Sequence, residues 1–405
     1  MTIFDHKYEA MPREQIAQVQ IERLQALLAR MKRNVRRFRE RTGDVRVESL
    51  VDLPRLPLTQ PQDLLDGFPY GMFALPLREV VRLHSTVGLD GRQLVIGHTR
   101  NDLAQWGRLT ARQLVAVGIT SHDLIQISLG GAVPGASGYA LGAELIESAV
   151  IPEDPLHIEY QLAMLQNYRV TAMITTPSNA RELADVLEAR RIDPHALGLQ
   201  TVLLSRPVGA AEREALAHGL SANICCSFGV AEVLDPGLCV ECTEGRFHVN
   251  EDQFVVESVE GELVVTTLCR EAMPLVRYCT RVTCAIRAER CPCGRTGAVL
   301  VPGERRDGRM RVNEMPLYPA QIAAVLARTR AGSRPFHLEV SERGIVVALE
   351  VTKDLFADTM KTMEALKREI QSEFLSRLGV QADVRYVSPR DFQTLPAAGM
   401  VRPAA

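Results

Sequence analysis

From residue 79 to 230, short apolar runs alternate with helix-length amphipathic stretches. Few architectures other than a layered α/β domain absorb that order. The runs VVRLH (80–84), DLIQISLG (123–130), SAVIP (148–152), TAMITT (171–176) and TVLLS (201–205) read as buried strands of a largely parallel sheet. Between them, residues 101–118, 157–168 and 180–191 read as helices.

Ahead of this region, Ile16, Val19, Ile21, Leu24, Leu27, Leu28 and Met31 recur at helical spacing, which predicts one long amphipathic helix over 11–41. A Pro-rich, irregular stretch follows at 51–78. Beyond 230 the pattern changes: residues 254–268 and 275–289 each read as a β-hairpin. The C-terminal part reads as helix (315–329), hairpin (335–351), helix (358–379) and strand (382–387). The expected fold is therefore a large α/β domain over 1–303, with a β subdomain near 231–300, and a small α+β cap over 304–405. The charged, Gly-bearing stretch Gly303–Arg311 is read as the hinge.

The charge balance, 47 basic against 49 acidic residues, forms no basic stripe and argues against nucleic acid. No run of about 20 apolar residues is present, so no membrane span is expected. The acid-bearing start MTIFDHKYEAMPREQ lacks the apolar core of a signal peptide, so a cytoplasmic location is expected. The sequence leaves open a homodimer. GxxxxGK[ST] is absent, and no Ser–His–Asp order stands out among nine histidines.

All nine cysteines fall between Cys225 and Cys293, a clustering that in a cytosolic chain suggests metal ligation before disulfides. Cys242 and His248 flank a predicted loop, and Cys291 and Cys293 bracket Pro292. Three thiolates and an imidazole would complete a tetrahedral zinc site with no open position, which suits a structural role. Cys239 and Cys284 are alternates, and inert buried thiols are the plainer reading.

Eight segments in order carry a resemblance: YEAMPREQ (8–15), FPYGMFALPLREVVRLHS (68–85), TPSNARELAD (176–185), SFGVAEVLDPG (227–237), VECTEGRFHVNEDQF (240–254), GELVVTTLCREAMPLVRY (261–278), CPCGRT (291–296) and LYPAQI (317–322). Together they resemble the phenylacetate–CoA ligase family of adenylate-forming enzymes. The resemblance implies activation of an aryl or acyl carboxylate by Mg-ATP, an acyl-adenylate, and transfer to CoA. It also implies that the Cys242, His248, Cys291 and Cys293 set is the structural zinc site found in some members.

The resemblance assigns a phosphate loop to residues 85–92. Thr86, Gly88 and Gly91 fit it, whereas Leu89 and Asp90 replace a double threonine and Arg92 replaces lysine. Phe228 and Gly229 match the adenine-stacking motif, and Glu232 matches its Mg²⁺-holding glutamate; Ala231 replaces a hydroxyl residue. Only Pro207 survives of the adenine-side Gly–Ala–Glu–Pro, with Arg206 at the glutamate position. Arg277, Tyr278 and Thr280 persist, but Val282 stands where an aspartate should bind the ribose hydroxyls, and an aliphatic side chain accepts neither. Arg305 and Asp307 persist at the hinge, followed by Val312, Asn313, Glu314 and Met315 where a glycine is expected. Met400 stands at the lysine that stabilises charge during adenylation, and no lysine follows Lys367.

Gly135, Gly138 and Tyr139 resemble the wall of the carboxylate pocket, although close helix–sheet packing explains the glycines equally well. Three readings stand: a ligase with impaired ATP chemistry; a non-catalytic or repurposed homologue binding a small carboxylate, an acyl-thioester or a protein partner; and a thioester-handling half-reaction.

Overall fold

The protein is described from a computed structural model, which covers residues 3–88, 91–129, 135–151, 157–312, 315–332, 334, 336–341, 344–350, 359–395 and 400–401. The chain divides into two compact units. One comprises Met1–Thr86 with Leu94–Arg305, the other Val87–Gln93 with Arg306–Ala405.

The first unit opens with a short helix α1 (His6–Glu9), then α2 (Arg13–Asn34) and α3 (Arg36–Thr42). The single helix expected over 11–41 is thus two. Pro12 precedes the first turn, and the backbone at Val35 is extended at φ −107°, ψ 100°. Val35 and Phe38 nevertheless pack with Leu24, Leu27, Leu28 and Met31 in one core, so hydrophobic period alone could not show the break. Helix α4 (Pro61–Asp66) leads to a two-stranded pair, β1 (Arg82–Val87) and β2 (Gln93–His98). The run at 80–84 therefore does not join the parallel sheet. Its alternating polar side chains suit a half-exposed ribbon.

The parallel sheet consists of β3 (Leu124–Ser128), β4 (Ala149–Ile151), β5 (Ala172–Thr175), β6 (Thr201–Leu204) and β7 (Asn223–Cys226), in the order β4-β3-β5-β6-β7. Helices α5 (Arg100–Ala116), α6 (Ala136–Leu145), α7 (Ile158–Tyr168), α8 (Pro177–Arg190) and α9 (Ala210–Leu220) accompany it. The strands are mostly apolar and buried on both faces, as sheets sandwiched by helices require, with Gln126 and Ser128 of β3 as buried polar exceptions. Helix α5 starts in a capping box: Thr99 accepts from Asp102 N, and the Asp102 carboxylate accepts from Thr99 N.

A six-stranded antiparallel sheet follows, ordered β10-β11-β12-β13-β9-β8. Its strands are β8 (Cys239–Glu241), β9 (Phe247–Val249), β10 (Phe254–Val259), β11 (Glu262–Thr267), β12 (Tyr278–Arg287) and β13 (Val299–Arg305). The hairpin at 254–268 forms, whereas 275–289 is one strand rather than a hairpin. No Gly, Asn or Asp is present there to turn it. The chain instead bulges around Arg281, at φ 61°, and β12 pairs with both β11 and β13.

In the second unit, β14 (Met310–Val312) pairs with β15 (Met315–Leu317). The helix expected from 315 begins only at Pro319, as α10 (Pro319–Leu326), because proline at the first helical position sets the start. Strands β16 (Phe336–Ser341), β17 (Gly344–Glu350), β18 (Ala382–Val387) and β19 (Met400–Val401) form a sheet ordered β18-β17-β16-β19. Helix α11 (Thr359–Leu378) packs Leu366, Ile370 and Phe374 into a core with Ile322 and Phe336, and α12 (Pro389–Thr394) follows. Among the described residues no helix is long and apolar enough to cross a membrane.

Candidate functional site

Two turns and a strand assemble the cysteine–histidine cluster. Cys242 leaves β8 into a tight turn closed by Gly245 N on Cys242 O at 2.8 Å, with Gly245 at φ +69°. Cys291 and Cys293 occupy an equivalent turn closed by Gly294 N on Cys291 O at 3.1 Å, with Gly294 at φ +79°. Glycine occupies the left-handed corner of both because a side chain there is strained. His248 lies in β9, between the two turns.

The four donor atoms lie within 4.8 Å of one another and all four residues are buried. Cys242 Sγ is 3.8 Å from Cys291 Sγ, and Cys293 Sγ is 3.4 Å from His248 Nε2. A tetrahedron with Zn–S of about 2.3 Å has S···S edges near 3.8 Å, so these separations fit that polyhedron. His248 Nδ1 lies 3.0 Å from the Gly297 carbonyl, so it donates there and leaves Nε2 as the acceptor facing the cysteines. Burial pushes the Cys242 thiol up to about 12 and holds His248 below its ordinary value. Neutral imidazole suits ligation; the buried thiols need a cation to ionise.

The N-terminal segment is tied to this subdomain by charge. Arg295 Nε donates to Glu9 at 2.7 Å, and both side chains are buried. Arg13 pairs with Glu251, whose carboxylate also accepts from Ala298 N at 2.8 Å. Arg112 of α5 forks onto Asp252 at 2.7 and 3.2 Å and reaches Asp5 at 2.8 Å. Burial alone would lower the Arg112 pKa, but the Asp252 and Asp5 carboxylates reverse this and raise it.

The motif at 227–237 follows β7 as a compact turn in which Val233 and Leu234 donate to Val230 O at 2.9 and 2.8 Å. Gly229 is dictated by approach: a Cβ there would sit 2.8 Å from Asp235 Cα. Phe228 is buried, edge-on to Phe247 with ring centroids 6.4 Å apart. Glu232 is 4% exposed and its Oε2 has no partner among the described residues. Trp106 Nε1 donates to Pro236 O at 2.7 Å, which fixes this motif to α5.

A small recess opens beside the motif, and Thr86 and Ala231 both line it. His84, His98, Trp106 and Arg270 line it too, and composition and spacing gave no sign of them. His98 stacks on Trp106 with centroids 5.2 Å apart and planes 9° apart. Arg270 reaches His98 through the loop 268–273, which Asp102 anchors by accepting from Glu271 N and Ala272 N at 2.8 and 3.0 Å. Burial, then the Arg270 charge, pushes the His98 pKa down to about 2, so the ring is neutral.

The remaining predicted positions are placed individually. Gly138 lies against Trp106, where a Cβ would come within 2.6 Å of the indole; Gly135 lies against Pro236 and Tyr139 is buried in the core. Thr280 is buried and its hydroxyl donates to Leu263 O at 2.8 Å. Val282, 3% exposed, pairs across the ladder with Arg305. Gly88 and Gly91 turn between β1 and β2, with Gly91 at φ +78° and its N–H on Gly88 O at 3.1 Å. Leu89, Asp90, Asn313, Glu314 and the Met400 side chain lie outside the described residues.

Residues 315–397 match the family described as AMP-binding enzyme C-terminal domain. The chain is 33% identical over 411 residues to the phenylacetate-coenzyme A ligase of Thermus thermophilus, covering 96% of this chain and 91% of that one. It is 30% identical to the phenylacetate-coenzyme A ligase of Pseudomonas putida, covering 91% and 89%. Among solved structures, 2-hydroxyisobutyryl-CoA ligase, in complex with 2-HIB-AMP and CoA in its thioesterification state, shares the fold. The TM-score is 0.85 at 22% identity, over 95% of this chain and 88% of that chain.

Proposed function

The chain belongs to the phenylacetate–CoA ligase family, and on that premise we propose that it is an AMP-forming carboxylate–CoA ligase whose hold on ATP is weakened. The carrying observation is the cleft lined by both Thr86 and Ala231, the latter within the motif that also holds Phe228, Gly229 and Glu232.

In this reading an aryl or acyl carboxylate oxygen attacks the α-phosphorus of ATP and pyrophosphate leaves. The CoA thiol then attacks the adenylate carbonyl and AMP leaves. Glu232 offers a buried carboxylate oxygen with no partner among the described residues, a ligand suited to the Mg²⁺ that accompanies the nucleotide. Phe228 supplies the adenine platform, and Gly229 lets the backbone pass close beneath it. Thr86 supplies a hydroxyl for phosphate.

The weakening rests on Val282, a buried aliphatic where the resemblance expects the ribose-binding aspartate. Two ribose hydroxyls would lose their acceptor, costing roughly 1–3 kcal/mol for each one left unpaired. Ala231 removes a further hydroxyl, and Met400 leaves the adenylation step without its lysine.

Cys242, His248, Cys291 and Cys293 hold zinc in this reading. The filled four-ligand set implies a structural role, bracing β8, β9 and the β12–β13 connection. Magnesium-dependent ATP–pyrophosphate exchange across an acid panel tests the proposal. Exchange with at least one aryl or acyl acid is expected, and none with any acid would leave the non-catalytic homologue as the reading.

A further inference from the structure

Helix α1 has four residues, and a single helical turn does not persist in water unaided. Residues 3–13 therefore keep their shape through what they dock against. On one side they meet the stretch that leaves the Cys291–Cys293 turn. Arg295 Nε donates to Glu9 Oε2 at 2.7 Å, with both side chains 3% exposed. Thr296 N donates to Glu9 O at 3.0 Å, and its hydroxyl donates to Met11 O at 2.6 Å. The Thr296 carbonyl accepts from Arg13 at 3.3 Å. The second carboxylate oxygen of Glu9 accepts from Asp5 N at 2.9 Å. One buried side chain thus closes α1 and ties it to the cysteine turn.

The placement of that turn depends on the metal. Residues 288–298 link β12 to β13 with no helix or strand of their own. Arg246 fixes the start of the link by donating to Arg290 O at 3.2 Å, and Val249 N fixes its end by donating to Ala298 O at 2.9 Å. Between these ends, Cys291 Sγ lies 3.8 Å from Cys242 Sγ, and Cys293 Sγ lies 3.4 Å from His248 Nε2. A cation shared by the four ligands pins the chain immediately before Arg295 and Thr296. Without it the thiols are protonated and bind one another only weakly, so the turn can shift. Glu9 would then be a buried carboxylate whose cation has moved away, a costly state that undocking relieves.

We propose that the zinc turn latches the N-terminal segment: loss of the metal undocks residues 3–13 while the parallel sheet stays folded. The inference rests on the zinc reading of Cys242, His248, Cys291 and Cys293, and goes beyond bracing by naming the segment the metal controls. Coupling of this kind is reciprocal, so a weakened dock must loosen the metal as well. Arg112 and Arg23 hold Asp5 and Tyr8 from α5 and α2, at 2.8 and 3.1 Å, by contacts that do not pass through the turn. If that second hold sufficed, the segment would be indifferent to zinc.

Hydrogen exchange read by mass spectrometry on the full chain tests this, with zinc bound and after removal by EDTA under a thiol reductant, zinc being counted by elemental analysis. With zinc, residues 3–13 should exchange about tenfold or more slowly than an unstructured peptide. Without zinc they should exchange within about twofold of that peptide, while β5 and β6 stay protected, and zinc addition should restore the difference. Glu9→Gln, and separately Thr296→Val, should lose zinc to the chelator about tenfold faster than the wild type. Protection of 3–13 that survives zinc removal, or that is lost only together with β5 and β6, overturns the latch. So do two folded variants that hold zinc as the wild type does. Zinc bound beside an indifferent N-terminal segment overturns the latch alone, whereas a chain that never binds zinc removes the zinc reading and the latch with it.

Discussion

Cys293 Sγ lies 3.4 Å from His248 Nε2, while the opposite ring nitrogen of that histidine meets the Gly297 carbonyl at 3.0 Å. The second contact fixes the tautomer that the first requires of a metal ligand. Purified protein should therefore carry about one zinc per chain by elemental analysis. Cys293→Ser should lose most of that zinc and lower stability by about 3 kcal/mol or more, because a structural site contributes its binding free energy to folding. A metal-free preparation that melts at the same temperature before and after zinc addition would contradict this.

Arg112 is 2% exposed and serves two carboxylates from different parts of the chain, Asp5 and Asp252. Arg112→Met leaves both acids without their cation in a buried setting. The expected loss is about 3–5 kcal/mol, read from the urea midpoint at constant slope. A loss below about 1 kcal/mol would show that water replaces the guanidinium there.

His98 is 2% exposed and its pKa falls from 6.5 to about 2, chiefly through burial and then through the Arg270 charge. Below 6.5 the unfolded chain takes up a proton that folded His98 does not. The stability it contributes is thus full above 6.5 and is lost as pH falls toward 2. Between pH 6 and 5 the wild type should lose up to about 1.4 kcal/mol more than His98→Phe, measured by urea unfolding at each pH. Parallel pH profiles for the two proteins would contradict a neutral buried imidazole.

Much of this was legible in the chain because short-range patterns encode it. Runs such as TAMITT and TVLLS need no distant information to be read as strands covered on both faces. The cysteine–histidine set was legible for a different reason: each tight turn presents its ligands within a few residues, and only the meeting of the turns is tertiary. The break at Val35 was hidden, since Phe38 continues the hydrophobic period of Leu24–Met31 across a backbone that is no longer helical. The bulge at Arg281 was hidden because nothing in CTRV marks a left-handed residue. Arg270 was hidden most completely. In sequence it is one of many arginines, and what distinguishes it is that no carboxylate pairs with it among the described residues, which only packing shows. Its placement depends on Asp102, 168 positions earlier in the chain, holding the loop beside α5.

The central claim is that the protein makes AMP from ATP and a carboxylic acid with a weakened hold on the nucleotide, and its most direct test is magnesium-dependent ATP–pyrophosphate exchange in the wild type and in Val282→Asp. The wild type should exchange only at high ATP, and Val282→Asp should lower the ATP concentration for half-maximal exchange by about tenfold by restoring an acceptor to the ribose hydroxyls. Absence of exchange in both proteins with every acid tried, despite intact folding, would contradict the account.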